Sequence, residues 1–245
     1  MPDVDVIALM LVVTTAYSCA GALGFGANVL TVALGAHLLP VDQILPAILP
    51  TSLALSAWIA WRQRHAIAGR ELTREVLPLV LVGFPVGLFV FQSMDTAHLQ
   101  RLLGAVVAAL AGVELLRPGR AGVNRPLPPA ASRALLVSGG FVQGLFASGG
   151  PLVVYVLSRR ALDKGAFRAT LCLLWVLLNS VLLVSYGLSD RLDEASLRLT
   201  AWAVLPMFVG LNLGQRLHVG LALTGFRRAV DVVLLVSGVV LVLRG

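Results

Sequence analysis

The sequence contains few charged residues, and acidic residues are the scarcest of them. Asp, Glu, Lys and Arg together make up 13% of the 245 residues, with 12 acidic residues against 19 basic ones. Hydrophobic residues account for 58% of the chain and the mean hydropathy is +0.90, far above the values of soluble domains. This composition excludes an ordinary soluble protein and predicts an integral membrane protein.

Long polar segments are also missing. The longest polar connections, 62–75 and 117–133, are too short to bury a hydrophobic core of their own. The basic residues lie in short clusters at the ends of apolar segments, where they orient membrane proteins, so a nucleic-acid-binding role is not expected. The whole chain, 1–245, is therefore expected to form a single membrane domain.

Chemically reactive groupings are absent from the apolar segments. The two cysteines, Cys19 and Cys172, have no partners at metal-ligand or redox spacing. The segments contain no paired carboxylates, no His-x-x-x-His spacing and no nucleophile elbow. We therefore expect no catalytic residues, no metal site, no cofactor and no enzymatic activity.

Long apolar stretches make up most of what remains, and a helix needs about 20 residues to cross the hydrocarbon core. Two of these stretches are interrupted by glycine clusters. The stretches are 4–39, 44–61, 76–92, 99–116, 134–158, 166–187, 198–215 and 226–243.

The two halves of the chain resemble each other, as in many transporters. "GALGFGANVL" aligns with "GLFASGGPLV", "LPLVLVGFPVG" with "LPMFVGLNLG", and "LQRLLGAVVAALAGVELL" with "FRRAVDVVLLVSGVVLVL". The alignment predicts a first repeat at 1–118, a cytoplasmic linker at 119–132 and a second repeat at 133–245.

The distribution of basic residues favours opposite orientations for the two repeats. If 4–39 and 134–158 both re-enter, 15 basic residues face the cytoplasm and four face outside; if 134–158 crosses fully, the numbers become 11 and 8. The positive-inside bias favours the first arrangement. The predicted fold is thus all-α, with two inverted-topology repeats, each a broken re-entrant hairpin plus three transmembrane helices. For segment 4–39, which has no Lys or Arg, a full crossing stays open.

The glycine clusters at 21–28 and 148–151 predict backbone that leaves the helix at membrane depth. Such backbone persists only where protein or a water-filled cavity satisfies its polar groups. Half-helices starting there direct unpaired N–H groups and positive dipole ends inward, which makes an anion site without a fixed positive charge. The candidate binding residues are Gly24, Gly26, Ala27 and Asn28 in the first break, Thr51 and Ser52 after it, Ser148, Gly149, Gly150 and Pro151 in the second break, and Thr170 and Asn179 after that.

Close helix packing is the alternative role for membrane glycines. We expect it for the Gly-x-x-x-Gly pairs, Gly83/Gly87 and Gly210/Gly214, which lie within uninterrupted apolar stretches. Ser and Thr residues in membranes also bond back to their own helix, which is the alternative role for the hydroxyl candidates.

These segments resemble the TauE/SafE sulfite exporter family of membrane transporters over essentially the whole chain. The resemblance rests on "GALGFGANVL", the "PTSL" at 50–53, "GLFASGGPLVVYVL", the "RATL" at 168–171 and the downstream Asn179. The first break departs from the usual triple glycine, since this chain has Gly26-Ala27-Asn28. Membership implies a multi-pass prokaryotic inner-membrane carrier of small sulfur-containing anions such as sulfite, sulfoacetate or other organosulfonates.

The expected function is therefore secondary transport of a sulfur-containing anion bound near mid-membrane, with alternating access. A channel-like anion pore, a transporter of other small carboxylates or oxyanions, and a membrane scaffold with purely structural glycines are the alternatives. The expected partners are the anion and membrane lipid, with no nucleic acid. The sequence leaves the exact substrate, the direction of transport, the coupling ion and any homo-oligomer formation open.

Overall fold

A computed structural model describes residues 4–23, 26–116, 127–160, 162–217 and 223–244. Within those ranges the chain is helical and contains no β-strand, which confirms the all-α prediction. The helices are α1 Val4–Leu23, α2 Ala27–Gly35, α3 Val41–Arg62, α4 Gly69–Glu71, α5 Leu77–Ser93, α6 Thr96–Leu116, α7 Pro129–Phe146, α8 Gly150–Leu157, α9 Lys164–Leu188, α10 Glu194–Leu217 and α11 Leu223–Arg244, with a 3-10 turn at Arg64–Ala66 and a π-helical stretch at Leu72–Val76.

Among the described residues, five helical segments are long and apolar enough to cross a membrane. They match five of the six uninterrupted spans expected from the sequence, and the sixth, 226–243, lies in α11. The chain is a multi-pass membrane protein. The five segments are Val41–Arg62, Gly69–Ser93, Thr96–Leu116, Lys164–Leu188 and Glu194–Gly214.

Both expected helix breaks are present. The first helix ends at Leu23 and α2 begins at Ala27, while α7 ends at Phe146 and α8 begins at Gly150. The short second members, α2 with 9 residues and α8 with 8, are about half the length that a membrane crossing needs. Each is therefore a half-helix, as the glycine clusters predict.

The chain forms two compact units that cut across the two sequence repeats. Unit 1 consists of Met1–Ile48, Met94–Pro118 and Ser189–Gly245, and unit 2 consists of Leu49–Ser93 and Gly119–Leu188. In unit 1 the broken hairpin α1–α2 packs with α10, from the second repeat. In unit 2 the broken hairpin α7–α8 packs with α5, from the first repeat. The sequence repeats did not predict this exchange, because sequence similarity shows which helices correspond and not which ones pack together.

Two facing Gly-x-x-x-Gly pairs bring α5 and α7 of unit 2 into backbone contact. A Cβ atom on Gly87 would lie 2.9 Å from the backbone nitrogen of Leu145, and one on Gly83 would lie 2.8 Å from that of Phe141. Real Cβ atoms essentially never approach this closely. Small residues thus let the two backbones touch, as in other membrane helix pairs. A Cβ would also overlap a backbone carbonyl of the facing helix at each of Gly83, Gly87, Gly140 and Gly144.

The corresponding helix pair in unit 1, α1 and α10, also packs closely through a glycine. Gly210 of α10 faces the backbone carbonyl of Thr14 in α1, and its Cβ would lie 3.0 Å from the Cβ of Tyr17. The expected packing role of Gly83, Gly87 and Gly210 is therefore confirmed. The recurrence agrees with the internal sequence repeat, while the opposite orientation of the repeats stays a prediction.

Aspartates cap the first turns of two long helices. Asp95 accepts the backbone N–H of His98 at 2.9 Å before α6, and Asp193 accepts that of Ser196 at 2.8 Å before α10. These backbone hydrogen bonds favour the carboxylate form and lower the pKa of both aspartates. Their stabilisation is therefore present above the ordinary carboxyl pKa and is lost as the pH falls through the lowered one.

Candidate functional site

The second break turns sharply at one strained residue. The cap of α7 is Ala147, whose φ of 50° lies in the left-handed region and whose N–H donates to the carbonyl of Gln143 at 2.9 Å. A non-glycine residue in this conformation costs about 1–2 kcal/mol. The packing of the surrounding helices has to compensate for this backbone strain. Such strained residues are concentrated at functional sites.

A buried amide network supports the break. The Nε2 of Gln143 in α7 donates to the Oδ1 of Asn179 in α9 at 2.8 Å. The Oε1 of Gln143 accepts the backbone N–H of Gly149 at 2.9 Å. Both side chains are 2% exposed. The network joins the end of α7, the break and α9 within unit 2.

The backbone fixes the orientation of both amides. Because the N–H of Gly149 can only donate, Oε1 of Gln143 has to face it, and Nε2 then has to face an acceptor. That acceptor is Oδ1 of Asn179, so the Nδ2 group of Asn179 is turned away from the pair. The network leaves the two N–H groups of that Nδ2 available as donors.

Backbone donors are available at the start of α8 as well. The first intrahelical bond runs from the N–H of Val153 to the carbonyl of Gly149, at 3.4 Å. The N–H groups of Gly150 and Leu152 precede it and have no acceptor within the part of the chain that the structure describes. Helix α8 begins at Gly150, so Pro151 is its second residue. Proline is tolerated there because it has no N–H, and an N–H at that position would lack an intrahelical partner.

The N–H of Gly149 and the hydroxyl of Ser148, which we expected to face a ligand, instead form hydrogen bonds within the break. The N–H of Gly149 is bonded to Gln143, and a Cβ at Gly149 would lie 2.8 Å from the Cβ of Gln143 and overlap the carbonyl of Gly139. The hydroxyl of Ser148 donates to the carbonyl of Phe146 at 2.8 Å. A leucine at Gly149 would consequently disrupt the hairpin itself and cannot separate binding from folding.

The hydroxyl candidates outside the breaks are all buried. Thr170 is fully buried, and its Oγ1 accepts the backbone N–H of Ala68 at 2.9 Å. That bond ties α9 to the segment before α4, which is a structural role. Thr51 and Ser52 are buried within α3.

The first break, in unit 1, has a different local structure. Gly26 precedes α2 with a φ of 95°, which favours glycine, and its carbonyl accepts the N–H of Leu30 at 3.1 Å. Ala27 and Asn28 are half-buried and form the first two positions of α2, so Asn28 lies in the first turn of the half-helix and Gly26 occupies the cap position. Gly24 lies outside the described residues.

Two buried polar residues near the breaks were not among the predicted site residues. Gln143 is a lone amide in the apolar string "GGFVQGLF", five residues before the break, and that isolation was a usable signal. Thr31 in α2 is fully buried, and its Oγ1 has no hydrogen-bond partner among the residues that are described. Such an unsatisfied buried hydroxyl is unusual, and it makes the first half-helix a candidate functional element as well.

No cluster of three or more His, Cys, Asp or Glu side chains that could hold a metal ion occurs within the described ranges. The arrangement at the second break therefore offers neutral hydrogen-bond donors. Such donors suit a small oxyanion.

Comparison with known proteins gives a match along nearly the whole chain. The sequence model of the family described as "Sulfite exporter TauE/SafE" matches residues 9–241. A "Probable inner membrane transporter protein TsaS" from Comamonas testosteroni is 31% identical over 165 residues, which cover 66% of this chain and 68% of that protein.

A second relative agrees with the first. The "Probable sulfite/organosulfonate exporter TauE" of Cupriavidus necator is 28% identical over 207 residues, covering 79% of this chain and 75% of its own. No solved structure matches the chain.

Proposed function

Because this chain belongs to the TauE/SafE sulfite exporter family, we propose that it is a secondary carrier of small sulfur-containing anions such as sulfite, sulfoacetate or another organosulfonate. The anion binds at the break before α8 and is released on the other side by alternating access. It is a multi-pass protein of the inner membrane, and its family is one of transporters.

One observation carries this proposal: hydrogen-bond donors that have no acceptor among the described residues border a buried helix break. They are the N–H groups of Gly150 and Leu152 and the Nδ2 group of Asn179. A sulfonate or sulfite group has three oxygens that share the negative charge, so several N–H groups can bind it at once. The positive end of the α8 dipole adds to the attraction.

The segment of sequence around the break has no basic residues, which fits a carrier. The sequence contains no Lys or Arg between Arg133 and Arg159. Neutral donors bind the anion without a fixed ion pair, so release does not require separating two opposite charges. A transport site has to release its substrate once per cycle.

We propose that the first break also contacts the anion during the cycle, through Gly24, Gly26, Ala27 and Asn28. This part of the proposal rests on the sequence repeat and on the first turn of α2. The N–H of Ala27 there precedes the first intrahelical bond, which Leu30 makes to Gly26.

Counterflow in reconstituted vesicles tests the function. Vesicles loaded with unlabelled sulfite or sulfoacetate should take up the same labelled anion transiently against its gradient, and uptake should saturate. Linear flux without exchange would instead support an anion pore. Vesicles in which neither anion moves faster than in protein-free vesicles would contradict the proposal.

The substitution Gly150→Ala should weaken anion binding without affecting the folding of the protein. Among the described residues, a Cβ there would meet only the Cζ2 of Trp175, at 3.9 Å, which leaves room for it. The added methyl group stands beside the proposed anion, and one unwanted methyl costs roughly 10- to 100-fold in recognition. We expect Gly150→Ala to keep the wild-type melting temperature and to raise the apparent KM for sulfite about 10-fold or more.

Gly112→Ala is the matched control, since a Cβ at Gly112 in α6 would meet, within the part of the chain that is described, only the Cδ1 of Leu235, at 4.0 Å. It should transport as the wild type does. A wild-type KM for Gly150→Ala would exclude the anion from the start of α8.

A further inference from the structure

Unit 2 contains a cleft that the proposed transport site does not use. This cleft of about 520 Å³ lies where the π-helical stretch before α5, the start of α7 and the end of α8 come together. The break before α8 does not line it. Its walls are formed by Arg74, Glu75, Pro78, Leu79, Leu127, Pro129, Ser132, Arg133, Leu136, Val156, Arg159 and Arg160.

The charges in the cleft are unbalanced. Four guanidinium groups face a single carboxylate, that of Glu75, which pairs with Arg160 at 2.5 Å. Arg159 donates to the hydroxyl of Tyr155 at 2.8 Å and stacks over its ring at 4.4 Å. The two remaining arginines, Arg74 and Arg133, are exposed and have no acidic partner among the described residues. The cleft therefore attracts an anion with several oxygens.

The size and lining of the cleft argue against a small inorganic anion as its occupant. A water molecule takes about 30 Å³ in the liquid, so a group of three or four oxygens fills only a minor part of about 520 Å³. Half of the lining side chains are apolar, including Leu79, Leu136 and Val156. A ligand that fills the cleft needs an anionic head and an apolar body.

The cleft also lies at the end of unit 2 that meets the membrane surface. Trp58 and Trp61 near the end of α3 are exposed, with Arg62 and Arg64 stacked on their rings at 4.9 and 5.8 Å. Exposed Trp and Arg residues of this kind mark the membrane interface. A short segment connects this end of α3 with Arg74, so the cleft and the tryptophans share one side of unit 2. The distribution of Lys and Arg residues described above assigns that side to the cytoplasm.

We propose that this cleft binds an anionic phospholipid of the cytoplasmic leaflet. The phosphate contacts Arg74 and Arg133, and the upper acyl chain covers the apolar wall. Guanidinium groups bind phosphate oxygens in pairs, and basic pockets between membrane helices on the cytoplasmic side bind lipid head groups in general. The π-helical stretch contributes by displacing Arg74 and Glu75 from a regular helical course.

The test compares lipid binding by purified protein in neutral detergent. Phosphatidylglycerol should raise the melting temperature and stay bound in native mass spectra, while phosphatidylcholine should do neither. Arg74→Gln combined with Arg133→Gln should weaken phosphatidylglycerol binding about five-fold per arginine. The control, Arg64→Gln combined with Arg70→Gln, removes the same charge from exposed sites of the same unit outside the cleft, and it should bind as the wild type does.

Three results would overturn the proposal. One is unchanged phosphatidylglycerol binding by the Arg74/Arg133 variant, and another is an equal loss in the control. The third is equal stabilisation of the wild type by inorganic phosphate, which would mean that the cleft takes a free oxyanion. If the double variant does not fold, the single change Arg133→Gln, at an exposed position, takes its place. A five-fold loss of phosphatidylglycerol binding by this variant supports the proposal, and unchanged binding overturns it.

Discussion

Alanine at Gly87 is expected to destabilise the protein strongly, because it adds a methyl group where two helix backbones touch. Its Cβ would overlap the carbonyl of Phe141 and lie 2.9 Å from the backbone nitrogen of Leu145, so α5 and α7 would have to move apart. Extra methylenes in a packed core cost typically 1–3 kcal/mol even when side chains can adjust. Here backbone faces backbone, so we expect a loss of about 4 kcal/mol or more.

On the scale known for soluble domains of this size, that loss lowers the melting temperature by roughly 8–16 °C. Combining Gly83→Ala with Gly87→Ala should prevent recovery of folded protein. The measurement is thermal unfolding in detergent, with size-exclusion chromatography to detect aggregates.

The control again is Gly112→Ala, for which the expected effect has the opposite sign. Its Cβ has room, and alanine is a better helix former than glycine by about 0.8–1.0 kcal/mol. The melting temperature should stay the same or rise. A Gly87→Ala protein as stable as the wild type would show that α5 and α7 do not pack through their backbones.

The second large effect is expected on transport. Asn179→Asp keeps the oxygen that accepts the hydrogen bond from Gln143, so the buried network can persist. The change replaces the free Nδ2 donors with a carboxylate oxygen. Two like charges about 4 Å apart repel by about 4 kcal/mol at an effective dielectric constant near 20. Since 1.4 kcal/mol is a factor of ten, we expect at least 100-fold weaker anion binding.

Asn212→Asp is the matched control. Asn212 is exposed in α10, and its Nδ2 donates to the carbonyl of Phe208 at 2.8 Å in its own helix. The substitution adds the same charge at an exposed position of unit 1 and should leave the KM for sulfite within two-fold of wild type. Equal KM values for Asn179→Asp and the wild type would remove Asn179 from the site.

The positions of the helix breaks were predictable because their causes are local. Glycine and proline act on their own backbone, so the clusters around Gly26 and Gly149 indicated interruptions that the structure confirms. The packing role of Gly83 and Gly87 was predictable for a similar reason, since the Gly-x-x-x-Gly spacing alone exposes a flat helix face.

The hydrogen-bond network at the second break was not predictable, because its members are distant in sequence. Gln143 and Asn179 lie 36 positions apart on different helices, and only their packing shows that they meet. The same contact reassigns Gly149, whose N–H faces Gln143 and is not available to a ligand. The sequence predicted the break as a region, while the division of its residues into structural groups and proposed donor groups required tertiary contacts.

The most direct test of the anion site is the melting temperature of the purified protein as sulfite or sulfoacetate is added. A ligand at 100 times its Kd stabilises a folded protein by about 2.7 kcal/mol. The account predicts a concentration-dependent rise for the wild type and the Gly112→Ala control, and none for Asn179→Asp at the same concentrations. An equal rise in Asn179→Asp, or no rise in the wild type with either anion, would contradict it.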